Sequence, residues 1–198
     1  MLTMSHNLVN TIYITHCVNA DPEQHWYLWL EQQLKQLNVT VERVFLADAS
    51  HPDSEIWHTC LEAQLKKLNE HSIVVAHGLS CVAVARFLTK KLQQKTIKAG
   101  VFIAPFHEPL PQHPDLNLFI GHSSFDSGIL RQNIQRRVVL FSSNDPIVPV
   151  PFSFKFSHML NAQLIEVNQA GHFCAEDGYV EFPQLLQILQ TLVKAELS

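Results

Sequence analysis

Asp145, His172 and the turn Ala76-His77-Gly78-Leu79-Ser80 are the residues whose types and order could support nucleophilic chemistry. A carboxylate can hold an imidazole in one tautomer, and the imidazole can then take a proton from a hydroxyl or thiol that attacks a carbonyl carbon. Ahead of the turn runs the β-branched stretch Ile73-Val74-Val75; behind it, Cys81, Val82, Val84, Ala85 and Leu88 recur at helical spacing. Strand, small-residue turn and helix together make the frame of a nucleophile elbow, G-x-S-x-G. Here the central position is Gly78 and the last small position is Ser80, so the frame stands without its usual nucleophile.

Placing these residues requires a scaffold, and the chain alternates β-rich runs with helical patterns. Strands are expected at Thr11 to Thr15, Val41 to Leu46, Ile73 to Ala76, Ala99 to Ala104, Arg137 to Phe141 and Gln163 to Val167. Helices are expected at Pro22 to Leu37, Asp53 to Leu68, Ser80 to Leu92, about Phe125 to Gln135, Val150 to Leu160 and Phe182 to Ala195. Such alternation implies a mainly parallel sheet with helices on both faces. Asp21-Pro22 and Asp53-Ser54 offer helix starts, while Pro105, Pro109, Pro111 and Pro114 exclude regular helix after the fourth strand. The irregular stretch Phe106 to Ser127 reads either as a surface connection or as a short wall over a site. Trp26, Leu30 and Leu34 recur every four residues, so the aromatic Trp26-Tyr27-Leu28-Trp29 segment reads as packing before it reads as a pocket wall.

In an open α/β sheet the ligand crevice lies at the carboxyl ends of the strands. Four loops there hold suggestive residues: His16-Cys17-Val18-Asn19, His77-Gly78-Leu79-Ser80, Ser142-Ser143-Asn144-Asp145-Pro146 and Asn168-Gln169-Ala170-Gly171-His172-Phe173. An Asp before Pro is ordinarily a turn former and a Gly-His ordinarily a loop pair. The order elbow, acid, histidine is what raises the two above that reading.

His77 through Leu88, together with His25-Trp26-Tyr27-Leu28-Trp29-Leu30, Asn144-Asp145-Pro146-Ile147-Val148-Pro149 and Ala170-Gly171-His172-Phe173, resembles the small α/β-hydrolases grouped with bacterial YdeN and retinoblastoma-binding protein 9. The resemblance runs from about Thr11 to Leu192. It implies a single three-layer α/β-hydrolase domain over residues 1–198, a six-stranded mainly parallel sheet, little or no cap, and a serine hydrolase of small esters, amides or peptides. It puts the family's acid on Asp145, its histidine on His172 and its serine on Gly78. The glycine of the family's oxyanion loop falls on Cys17, which assigns His16, Cys17, Val18, His77 and Leu79 to the binding and oxyanion loops.

Two residues could replace the missing hydroxyl. Ser80 would serve if the turn slid by two, but Val82 would then stand where a small residue is needed and the apolar helix face would rotate; a helix-start hydroxyl is the alternative. Cys17 would bring a better nucleophile at neutral pH, against the reading of a buried inert thiol. Cys81, at a helix start, reads as packing. The chain is therefore expected to be a hydrolase-like protein with a disabled nucleophile and a crevice for a small-molecule or peptide ligand or a protein partner; the alternative is an active hydrolase using Ser80 or Cys17 with His172 and Asp145.

Composition narrows the other classes. At 198 residues and 46% hydrophobic the chain can bury one substantial core. A net charge of -4 with scattered Lys and Arg gives no footprint for nucleic acid or an anionic membrane. No apolar run approaches the roughly 20 residues of a membrane helix, and Met1 to Asn7 lacks signal-peptide regions, so a cytoplasmic location is expected. Four dispersed cysteines suggest reduced thiols, and twelve histidines without ligand spacing suggest no metal; no cofactor is expected. A site drawing on His16, His77 and His172 for a metal or anion would rest only on their shared sheet edge.

Overall fold

The computed structural model describes residues 9–195; the expectation about Met1 to Asn7 lies outside them. Six strands, β1 (Thr11–Thr15), β2 (Thr40–Val44), β3 (Ser72–His77), β4 (Ile97–Ile103), β5 (Ile134–Ser142) and β6 (Gln163–Val167), form one sheet in the order β2-β1-β3-β4-β5-β6. Every pairing is parallel: Ile14 lies beside Arg43 on one side and Val75 on the other, and Val75 beside Val101. β3 and β4 are buried along their whole length, which is why they read as near-continuous apolar runs rather than alternating ones.

Successive side chains go to opposite faces and build two cores. Tyr13, Val74 and Ala76 face one layer with Trp57, Leu61, Phe87 and Phe156; Ile12, Ile14, Ile73 and Val75 face the other with Leu30, Leu34, Leu185 and Leu189. The helices are α1 (Tyr27–Leu34), α2 (Ser54–Gln64), α3 (Ser80–Lys91), α4 (Asn117–His122), α5 (Ser127–Asn133), α6 (Val150–Leu160) and α7 (Pro183–Lys194). α1 and α7 cover one face, α2 through α6 the other, giving the expected three layers. None of the described helices is long and apolar enough to cross a membrane.

Three expectations need correction. The first helix starts at Tyr27, not Pro22, because Asp21 ties its carboxylate to the Glu23 amide (2.7 Å) in a turn and His25 takes a left-handed φ of 53° that no helix continues through. α2 begins where expected, with Asp53 accepting from the Glu55 and Ile56 amides, but ends at Gln64, four residues before Leu68. The proline-rich stretch after β4 does contain helix: Pro114 opens a 3-10 turn (Pro114–Leu116) that runs into α4, since proline is tolerated where its missing N–H would be unpaired anyway.

Candidate active site

From β1 the chain crosses to β2 on one side and then returns to β3 on the other, so the sheet's switch point lies between the carboxyl ends of β1 and β3. Those ends deliver Cys17 and Gly78. The elbow is tight: Gly78 takes φ +60°, donates its N–H to the Ile103 carbonyl (2.9 Å) and accepts from the Cys81 amide (3.0 Å). A Cβ on Gly78 would stand 3.0 Å from His172 Nε2 and 3.3 Å from Cys17 Cβ. The one position without a side chain is therefore the position facing the imidazole.

Asp145 and His172 meet. His172 Nδ1 donates to Asp145 Oδ2 (2.8 Å), while Asp145 Oδ1 accepts from the Ile147 and Val148 amides (2.8 and 2.9 Å), which fixes the carboxylate. Loop-to-loop bonds hold the pair in register. Asn144 Oδ1 accepts from the Gly171 amide, Ser142 Oγ from Ala170 and Ser143 Oγ from Gln169, all at 2.9 Å. Asp177 Oδ2 accepts from the amides of His172 (2.9 Å) and Cys174 (3.1 Å). The sequence singled out neither these serines and Asn144 as positioning groups nor Asp177 at all; the Ser-Ser-Asn run after a strand was the one available signal.

Burial disfavours the His172 imidazolium, but the Asp145 hydrogen bond and charge, with Cys17 and Asp177 adding, outweigh it and raise its pKa above the ordinary 6.5. A raised folded-state pKa stabilises the fold fully below pH about 6.5, and that contribution is lost as pH rises through the folded value. Asp145→Asn should remove the largest influence that opposes the burial penalty and so lower the His172 pKa relative to wild type. Its stability deficit should be larger at pH 5.5 than at pH 8.5, measured by urea unfolding; a pH-independent deficit would contradict the assignment.

The other histidines of the expected loops are committed elsewhere. His77 Nε2 donates to the His172 carbonyl (2.7 Å) and its Nδ1 accepts from the Tyr27 hydroxyl (2.7 Å), which itself accepts from the Cys17 amide (3.1 Å). His16 Nδ1 donates to the Cys17 carbonyl (2.9 Å) and its Nε2 accepts from the Leu46 amide (3.0 Å); burial lowers its pKa. With every ring nitrogen of both used, neither His16 nor His77 can join His172 in holding a metal or anion. They brace the loop between Thr15 and Val18.

Ser80 is fully buried and does not line the crevice. Its Oγ accepts from the His77 amide (3.0 Å), donates to the His77 carbonyl (2.9 Å) and lies 2.8 Å from Thr15 Oγ1. Ser80→Ala orphans buried partners and should cost about 1–3 kcal/mol in denaturant unfolding, with no change in any thiol or hydroxyl labelling of the crevice. Cys81 is likewise sealed in, and burial pushes its thiol pKa up.

Above the elbow opens a cavity of about 300 Å³ whose wall includes Cys17, Val18, Leu79 and His172. Phe106, His113, Asp115 and Leu116 close one side, so the stretch after β4 is a wall over the site. The backbone N–H groups of Val18 and Leu79 meet no acceptor among the described residues, and Leu79 stands at the N-terminus of α3. Unpaired amides in residues that line the same cavity as His172 are the kind of donor an oxyanion hole uses. Cys17 Sγ, Cys174 Sγ and a ring nitrogen of His25 cluster within 4.8 Å, a soft donor set for a metal. Its fit is poor: His25 Nδ1 accepts from the Ala175 amide (2.9 Å), so in the neutral ring Nε2 carries the proton and neither nitrogen offers a free lone pair. That ring suits a hydrogen-bond donor to a thiolate. The neighbouring Cys174 thiol, with the His77 and His25 rings, lowers the Cys17 pKa well below its usual value despite burial.

Comparison with known proteins agrees with this fold. The chain is 29% identical over 189 residues to YdeN of Bacillus subtilis (strain 168), covering 96% of this chain and 99% of that one. The crystal structure of the B. subtilis ydeN gene product superposes with a TM-score of 0.90 at 28% identity, over 94% of this chain and 100% of the other. Est1E from Butyrivibrio proteoclasticus shares the fold at 13% identity, with a TM-score of 0.69 over 94% and 89% of the two chains. The serine hydrolase family model matches residues 12–191, and with an α/β-hydrolase sheet, an elbow at Gly78 and an Asp145–His172 pair in place, the chain belongs to the serine hydrolase family.

Proposed function

We propose that this protein uses its crevice to bind a small ligand and does not carry out the acyl-serine chemistry of its family. The observation that carries the reading is Gly78: the elbow keeps its φ of +60° and presents the position to His172 Nε2, yet no hydroxyl stands there. An imidazole without a nucleophile retains binding capacity and loses the covalent step, and losing a triad nucleophile can remove about a millionfold in rate. Ser80 does not substitute, since its hydroxyl is spent on the turn itself. The net charge of -4 disfavours nucleic acid as the ligand.

A fluorophosphonate probe followed by a thiol alkylator, with adducts mapped by mass spectrometry, tests this. The expected result is no fluorophosphonate adduct and no turnover of a broad ester panel. Stoichiometric, His172-dependent acylation or phosphonylation at any residue overturns the reading.

One observation favours a second reading, an active cysteine hydrolase. Cys17 lies on the cavity wall, its Cβ is 3.3 Å from where a Gly78 Cβ would stand, and its thiol is shifted toward thiolate. In that case ester turnover would vanish in Cys17→Ser and survive in Ser80→Ala.

A further inference from the structure

We infer that the ligand of this crevice is a carboxylate, one oxygen taking the place of a serine Oγ against His172 and the other resting on the Val18 and Leu79 amides. The inference rests on the ligand-binding reading above and names its chemistry. His172 is only 6% exposed, its Nδ1 is held by Asp145, and its Nε2 has no hydrogen-bond partner among the described residues although it faces the bare Gly78 turn. A neutral amide brings one acceptor oxygen to this place and an ester adds only a weakly accepting one; a carboxylate brings two strong acceptors, spaced as the two oxygens of an acyl-serine ester would be.

The donors at the two oxygen positions point the same way, opposed by the Cys17 thiol, which is shifted toward thiolate, and by Asp115 and Glu176 on the cavity wall. The α3 N-terminus and two free amides favour an anion. The groups facing His172 favour its protonated form on balance: Asp145 from the loop after β5, Asp177 from the turn after His172, and Cys17 from the loop after β1. His77 of β3, stacked at 5.2 Å, has both nitrogens committed to hydrogen bonds. An imidazolium donates Nε2–H to a carboxylate, whereas the neutral ring, its proton held on Nδ1 by Asp145, turns a lone pair toward it. The remaining walls, including Leu79, Phe106, Leu116 and Ile147, suit an apolar body, and Asp115 and Glu176 exclude a second anionic group.

The test is calorimetric titration with 3-phenylpropanoate, its primary amide and its methyl ester at pH 6 and pH 9. The acid should bind at least about tenfold tighter than the amide at pH 6, and the advantage should shrink at pH 9, in the direction in which His172 loses its proton. His172→Gln should abolish the discrimination in a protein whose thermal unfolding remains cooperative. Equal affinity of acid and amide at pH 6, an acid preference that does not depend on pH, or no acid binding up to about 10 mM overturns the inference. Consumption of the ester is read separately by release of methanol. It would overturn the non-hydrolytic reading and leave the acid-to-amide comparison intact.

Discussion

Gly78→Ser should turn the protein into a measurable esterase. The hydroxyl would arrive on a turn already at φ +60°, 3.0 Å from His172 Nε2 at the Cβ, with Asp145 orienting the ring and two free amides nearby. Since removing a triad nucleophile can cost about a millionfold, even an imperfectly seated serine should raise kcat/KM for p-nitrophenyl acetate at least about a hundredfold over wild type. A fluorophosphonate adduct should appear at position 78 and disappear when His172→Ala is added. The substitution has three structural costs, the first being the 3.0 Å approach of its β-carbon to His172 Nε2, which the ring must ease. A β-carbon in the left-handed region should destabilise the fold by about 1–2 kcal/mol. Contact with Cys17 Cβ at 3.3 Å forces one of the two side chains to give. Gly78→Ser combined with Cys17→Gly should therefore outperform the single variant. If both variants fold and remain inert and unlabelled, the Val18 and Leu79 amides do not form an oxyanion hole, and the crevice is not a silenced hydrolase site.

How far the sequence alone could go depends on the range of each interaction. The elbow was legible because its signals are local: a β-branched run, a glycine where φ is positive, then apolar residues at helical spacing. The ends of β1 and β6 matched expectation to the residue for the same reason. What was not legible is set by partners distant in the chain. His16, His77 and His172 look alike in sequence; only the Leu46 amide, the Tyr27 hydroxyl and Asp145 distinguish two braces from the one imidazole paired with a carboxylate. The Cys17 and Cys174 sulfurs approach each other across 157 residues, and no spacing rule reaches that far. The early start given to the first helix failed differently. Pro22 and the apolar stripe fit a helix, and the left-handed His25 that ends the turn carries no local signal, being histidine rather than glycine.

Gly171→Ala should be the most disruptive single-methyl change in the site. Gly171 has φ +55°, and a β-carbon there would stand 2.1 Å from Asp177 Oδ1, inside any real contact distance. Asp177 cannot simply retreat, because its other oxygen holds the His172 and Cys174 amides that shape the loop. Strain from the left-handed backbone and from overpacking should together cost about 3 kcal/mol in denaturant unfolding. Displacing the loop also pulls His172 off Asp145, so the imidazole loses the partner that raises its pKa and should titrate lower than in wild type by NMR. Asp177→Ala alone removes two hydrogen bonds to the loop and should cost about 1–3 kcal/mol. The double variant Gly171→Ala, Asp177→Ala removes the clash along with those bonds, so its loss should be smaller than the sum of the two single losses by about 1 kcal/mol or more. Strict additivity would mean that a β-carbon on Gly171 does not meet Asp177, and that the Gly171→Ala loss is backbone strain alone.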